Sequence, residues 1–150
     1  MSNHASALQA LITSHLEILK AYSETEWAAK PNPTRWSKKE IVGHLIDSAQ
    51  NNLRRFVVTQ YAANQNIVYD QNQWVALQHY QTTATIDLLD LWRLLNFQIA
   101  RVIENIPPEQ LTQTCDTGKN GPELYALDWL IKDYLAHTQH HLRQVTEGKM

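Results

Sequence analysis

Two histidines four residues apart, His137 and His141, have the spacing that places two imidazoles on one face of an α-helix, one turn apart. Neutral imidazoles held that way can share one divalent metal ion, provided the fold brings up a third ligand. They lie in the run Tyr134-Leu-Ala-His137-Thr-Gln-His140-His141-Leu-Arg-Gln144, which holds three of the seven histidines of the chain. At about 100° per residue, the apolar side chains Leu127, Leu130, Ile131, Tyr134 and Val145 centre on one direction. His141 falls inside that arc and His137 at its edge, whereas His140 points well away. Gln144 borders the same side. The competing reading of the pair is two part-buried, hydrogen-bonded histidines, because a two-histidine match is a weak motif. It is not the zincin pattern, since Thr138 and not a glutamate follows His137.

A possible third ligand sits near position 44. His44, Ser48, Asn51 and Arg55 follow one another at steps of four, three and four, forming a polar strip beside the apolar face of their helix, with Asp47 on the same flank. Such a strip is ordinarily a solvated face. Alternatively it lines a water-filled cleft between helices, with His44 as a ligand and Arg55 as a positive group for an anionic substrate. Three imidazoles on a bundle wall would leave coordination positions open, the arrangement of catalytic rather than structural sites. Imidazole ligation suits zinc, nickel, copper or iron(II), and ligand type alone does not choose among them. Asp47 is the nearby carboxylate, either as general base or as a partner that orients a ligating histidine. The single cysteine, Cys115, has no histidine partner in sequence and reads as an inert thiol. Of the other histidines, His4 reads as terminal and exposed and His15 as a helix-face residue; His79 has no partner spacing.

The elements that must position these groups are helices. A first is expected over about Asn3 to Glu24, with Leu8, Leu11, Ile12, Leu16 and Leu19 on one stripe, ending before Lys30-Pro-Asn-Pro33. Ser37-Lys-Lys-Glu40 is a capping box that opens a second, with Trp36 in the staple position before it, reaching to about Tyr61. Residues 62–76 have no clear period and read as a long ordered connection, with Tyr69 and Trp74 as aromatic anchors. A third helix is expected over about Thr83 to Asn105, on a stripe that includes Ile86, Leu89, Leu91, Trp92 and Ile99. Residues 113–122 read as a turn or short ribbon. A fourth helix runs from near Tyr125 to about Glu147, with Gly148 as its cap. The expected fold is all-α: a single-domain four-helix bundle with a long connection between its second and third helices.

These pieces resemble the DinB/YfiT-like superfamily of metal-binding four-helix bundles. The resemblance rests on Arg35-Trp-Ser-Lys-Lys-Glu-Ile-Val-Gly-His44-Leu-Ile-Asp47 and its continuation to Arg55-Phe, on Val68-Tyr-Asp-Gln-Asn-Gln-Trp74, and on His137-Thr-Gln-His-His141-Leu-Arg-Gln144. They occur in the family's order from about Trp27 to the end of the fourth helix. The resemblance implies that His44, His137 and His141 each occupy a metal-ligand position, with water or substrate in the open positions. It implies a divalent ion, zinc or nickel first and iron or manganese as alternates, and a homodimer. Members of the YfiT branch have been labelled metal-dependent hydrolases. Related members transfer low-molecular-weight thiols onto electrophiles or isomerise substrates with a thiol cofactor. The expected activity is therefore thiol S-transfer, with such a thiol as co-substrate; the alternatives are hydrolysis by a metal-bound water and a non-catalytic binding bundle. Arg55, Asn51, Tyr69, Trp74 and Gln144 are the candidate substrate contacts, and Asp47 and Arg55 the candidate catalytic groups.

Composition narrows the partners. Lys plus Arg is 13 against 15 Asp plus Glu, a balance with no electrostatic footprint for nucleic acid or an anionic membrane. With 43% hydrophobic and 19% charged residues, the 150-residue chain has an ordinary globular composition. One cysteine suits a reducing compartment, and there is no signal-peptide pattern near Met1. A cytoplasmic protein acting on a small molecule is expected.

Overall fold

The computed structural model describes residues 3–148. Four long helices carry the architecture: α1 (Asn3–Lys20), α3 (Lys38–Tyr61), α5 (Thr85–Glu104) and α6 (Leu127–Glu147). Two short helices, α2 (Glu24–Ala28) and α4 (Gln71–Gln78), and a hairpin of β1 (Thr114–Asp116) and β2 (Leu124–Ala126) fill the connections. α1 and α3 each pack against both α5 and α6, so α1 and α3 lie across one diagonal of the bundle and α5 and α6 across the other. α3 and α6 run antiparallel. The Lys38 ammonium at the start of α3 donates to the Val145 carbonyl near the end of α6, and Phe56 meets Tyr134 edge-on at 6.0 Å further along. No helix among the described residues is long and apolar enough to cross a membrane.

The element boundaries depart from the sequence expectations where capping chemistry intervenes. The first helix stops at Lys20, not Glu24, because Ser23 and Glu26 form a second capping box: the Ser23 hydroxyl accepts from the Glu26 N–H, and Glu26 Oε1 accepts from the Ser23 N–H. The short helix that follows drives Trp27 fully into the core. The connection after α3 contains a helix rather than only loop. Asp70 caps α4 by accepting from the Gln73 N–H at 3.1 Å, and His79 ends it in the left-handed region at φ 57°. Tyr125 lies in β2, so the last helix begins two residues later than expected, and Gly148 caps it at φ 67°. His4 is half-buried in the first turn of α1 rather than exposed. On α5 the buried arc runs through Leu88, Leu89, Trp92, Ile99 and Ile103; Ile86, 71% exposed, and Leu91 fall outside it.

The largest correction concerns α3. Every residue from Ile41 to Ala49 is buried, including His44, Asp47 and Ser48. Two sides of the helix are covered by α5 and α6, and a third by α4 and the turn at Tyr80–Thr82. The polar strip is therefore roofed by the long connection and is not a solvated face. Its amides are satisfied within the helix: Asn51 donates to the Asp47 carbonyl at 2.9 Å and Asn52 to the Ser48 carbonyl at 2.8 Å.

Gly43 makes that roof possible. A glycine in a helix interior costs about 1 kcal/mol relative to alanine, yet a Cβ here would lie 2.1 Å from the Tyr80 ring. The ring lies across α3 and places its hydroxyl on Asp47 Oδ1, one turn further along, at 2.5 Å. Gly43→Ala is expected to destabilise the protein by about 1–3 kcal/mol despite the better helix propensity of alanine, because the tethered ring has to move. Urea unfolding checks this, and the cost should vanish in a Tyr80→Ala background.

Candidate metal centre

His44 sits in the second turn of α3, behind the Ser37–Glu40 capping box that fixes where the helix begins. Trp36, just before that cap, packs its ring on the His44 ring with centroids 5.1 Å apart. On α6, His137 and His141 are one turn apart with ring centroids at 4.5 Å. Because α3 and α6 are antiparallel neighbours, the pair comes to face His44: its ring lies 5.1 Å from that of His137 and 4.7 Å from that of His141. One potential ligand atom from each of the three falls within 4.8 Å of the others. Among the described residues no other group of three His, Cys, Asp or Glu converges in this way. His140 is exposed on the far side, as its helical phase dictates, touching His141 only edge-on.

Burial sets the charge state. His44 is 1% exposed, and desolvation with its two imidazole neighbours pulls its pKa down to about 3. His137 is lowered to about 4, again chiefly by desolvation and then by His141 and His140. His141 moves in the same direction, also through burial, with its bond to Gln144 pulling weakly the other way. All three rings are therefore neutral near pH 7, the protonation state a metal ion requires.

The donor atoms fit a divalent ion. His141 Nδ1 lies 2.8 Å from Gln144 Oε1. Since that oxygen accepts, Nδ1 carries the hydrogen and Nε2 keeps its lone pair. His44 Nε2 and His137 Nε2 are 3.2 Å apart, close to the separation of about 3.3 Å expected for two nitrogens on one tetrahedral zinc. Without an ion, one N–H···N bond can join His44 to His137, but His44 Nδ1 still has no hydrogen-bond partner among the described residues. Three neutral imidazoles facing one another are a poor arrangement by themselves and a suitable one around a cation.

The other sequence-selected residues are distributed around this cluster. Asp47 lies one turn from His44 with Oδ1 accepting from the Tyr80 hydroxyl and from Gln78 Nε2 at 2.9 Å, while Oδ2 has no partner. Desolvation raises its pKa to about 6, against the lowering effect of those two donors. Arg55 places Nε and one terminal nitrogen on the Ile67 carbonyl at 3.0 and 2.7 Å. That carbonyl is held in place because the neighbouring backbone pairs with β1, Ile67 N–H donating to the Asp116 carbonyl at 2.9 Å. Among the described residues no carboxylate forms an ion pair with Arg55. It lines a small polar cavity of about 110 Å³ with Ser48, Tyr69, His137 and Asp133, whose carboxylate acts on its charge through space. Tyr69 stands edge-on to Trp74 at 5.7 Å, so Trp74 approaches the site through Tyr69 rather than directly. Asn51 turns its amide to its own helix. Trp36, Gln78 and Tyr80 were not among the sequence-selected site residues. The glycine at 43, beside a candidate ligand, was the available signal for the close approach of Tyr80. Cys115 is fully buried with its thiol pKa raised by desolvation, as an unreactive cysteine should be.

The model of the DinB superfamily matches residues 7–145. The chain belongs to the DinB superfamily. Among solved structures, YfiT from Bacillus subtilis, described as a probable metal-dependent hydrolase with an unusual four-helix bundle topology, matches with a TM-score of 0.86 at 19% identity. The match covers 98% of this chain and 87% of that one. The mycothiol-dependent maleylpyruvate isomerase matches with a TM-score of 0.76 at 12% identity over 97% of this chain, which spans 63% of that protein's length. At these identities the likeness to this DinB protein is one of fold. No curated protein matches the sequence.

The opposed shifts give a pH signature for the metal-free protein. His44 and His137 have folded pKa values below the 6.5 of the free side chain, so the stability they confer is present above pH 6.5 and lost as pH falls toward 4 and 3. Asp47, raised above 3.8 to about 6, works in the other direction: the folded state gains as pH falls through 6. The histidines outnumber it, so urea midpoints should fall between pH 6.5 and 4. Asp47→Asn should make that fall steeper by removing the opposing contribution.

Proposed function

We propose that this DinB protein is a metal-dependent enzyme that holds one divalent ion on His44, His137 and His141 and transfers a low-molecular-weight thiol to a small electrophile. The observation that carries this reading is the convergence of three burial-neutralised imidazoles from α3 and α6 beside a polar cavity. A bound zinc or nickel ion would supply Lewis acidity, lowering the pKa of a sulfur or oxygen ligand. The chain's residues do the rest. Gln144 holds His141 in the tautomer that leaves Nε2 free, and Trp36 shields His44 from water. Arg55 forms no direct ion pair and shares its cavity with Tyr69, His137 and the Asp133 carboxylate, which offsets part of its charge; it would receive an anionic group of a substrate. In the transfer, the thiol gives its S–H proton to solvent water, its sulfur forms a bond to the electrophilic carbon, and the bond from that carbon to the leaving group breaks, the leaving group departing with the electron pair.

The placement of Asp47 favours transfer over hydrolysis. A hydrolase that activates water needs a general base within reach of it. Asp47 is fully buried, and one of its oxygens is held by Tyr80 and Gln78; the hydrolytic alternative would instead have to use Asp133, the exposed carboxylate that shares the small cavity with His137. Support for a thiol comes from the fold relative that depends on mycothiol; the description of YfiT supports the hydrolytic alternative.

Metal analysis of the purified protein should find one ion per chain, lost in His44→Ala, His137→Ala and His141→Ala. Full occupancy in His44→Ala would end the three-ligand reading. Gln144→Ala should retain the site and weaken metal affinity roughly 10- to 100-fold, by releasing the tautomer and orientation of His141. Metal-loaded protein incubated with glutathione, bacillithiol or mycothiol and an aryl halide should form the thioether. Metal-dependent ester or amide hydrolysis without conjugation would transfer the assignment to the hydrolytic reading.

A further inference from the structure

A cavity of about 540 Å³ is not lined by the imidazoles themselves but by two side chains that touch them. Trp36, which packs on His44, and Gln144, which bonds His141, both line it. Its volume is in the range of small-molecule pockets, roughly 300–1,000 Å³. The charged lining comprises Lys30, Arg35 and Lys38 against a single carboxylate, Glu26.

These groups differ in what already occupies them. Glu26 is committed to the capping box of α2. Lys30 is paired with Glu40 at 2.6 Å. Lys38 donates to the Val145 carbonyl and lies over the Tyr22 ring, 4.5 Å from its centre. Arg35 is half-buried, and its guanidinium has no hydrogen bond, ion pair or ring partner among the described residues. It is held in place by a turn in which its own N–H donates to the Asn32 carbonyl at 3.1 Å. A part-desolvated guanidinium left with all its side-chain donors free, on the wall of a cavity, is suited to a planar anion that accepts two parallel hydrogen bonds. Trp36 and Ile41 supply apolar surface for a carbon skeleton, and Asn72 supplies an amide from the long connection.

We propose that this pocket is a carboxylate-binding subsite in which Arg35 grips a carboxylate of a small molecule that lies against Trp36 and Gln144, the side chains in contact with His44 and His141 of the metal centre. The proposal rests on the metal-centre reading for its second half only; anion capture by Arg35 needs no ion. It also separates two anion-reading positions on opposite sides of the imidazoles, Arg55 in the small cavity and Arg35 in the large one, as a reaction between two substrates requires.

The test uses the full chain stripped of metal by a chelator and dialysed, so that no carboxylate can bind through an ion. Succinate is titrated at constant ionic strength while the Arg35 Nε–H and Trp36 indole N–H resonances are followed by NMR. Saturable shifts of both are expected, with no response to the uncharged succinamide and a weaker one to inorganic phosphate. Arg35→Ala should bind succinate about tenfold more weakly, the loss of one charge-assisted pair. Arg35→Gln serves as the second variant should the alanine variant fail to fold. Equal succinate affinity in the folded variant, an equal response to succinamide, or a stronger response to phosphate would overturn the proposal. Metal uptake is measured on the same preparations after zinc is added back and the excess removed. Arg35-dependent succinate binding in a protein that takes up no metal supports the subsite and removes the metal centre; normal metal uptake with no Arg35-dependent response removes the subsite alone.

Discussion

Desolvation of three imidazoles between two antiparallel helices is the constraint on which the site depends. A histidine in water is half protonated near its ordinary pKa, and three positive rings within 5 Å would repel one another and any cation. Taking them out of water keeps them neutral, and neutrality turns mutual repulsion into a shared preference for a positive ion. The cover is supplied by elements that carry no ligand. Trp36 seals His44 from one side, while α4 and Tyr80 seal α3 from another. The roof depends in turn on a position without a side chain, Gly43, and on a carboxylate, Asp47, that anchors the Tyr80 hydroxyl.

The same cover separates two roles that a surface strip would have confused. Asn51 and Asn52 satisfy their own helix backbone, a common fate of amides in buried helices. Arg55 is different: it fastens the Ile67 carbonyl while its charge stays beside His137 with no direct ion pair. A half-buried cation without a directly bonded carboxylate is costly in a folded protein unless something else in its surroundings compensates. Here that something is partly the carbonyl and partly the more distant Asp133 carboxylate across the cavity.

The degree to which this was legible in the sequence follows from how local each determinant is. The phase of α6 is a local property, so His137, His141 and the exclusion of His140 could be read from spacing alone. The Ser37–Glu40 cap is local as well. His44 could be found only as one member of a polar strip, because whether that strip faces water depends on α4, a helix whose apolar content is low and whose start is marked only by Asp70. The Ser23–Glu26 box was masked by the continuing apolar pattern of α1. Ile86 and Leu91 were assigned to the core because short apolar runs fit more than one phase, and only packing against α1 and α3 chooses between them. Arg35 carries no sequence signal of its own; what distinguishes it is a guanidinium without a partner among the described residues, a property of the folded chain.

The diagonal order of the helices has a consequence for when the site comes into being. His44 and His137 are 93 positions apart, and the helix bearing the second is synthesised after α1, α3 and α5. Until α6 docks into the groove between α1 and α3, the chain offers an ion only a single imidazole already half enclosed by Trp36. An ion that joins all three rings would then bind only the complete bundle and favour it over every partly assembled form. The centre would thus serve as a clasp between an early and a late segment of the chain, closed in the final step of assembly.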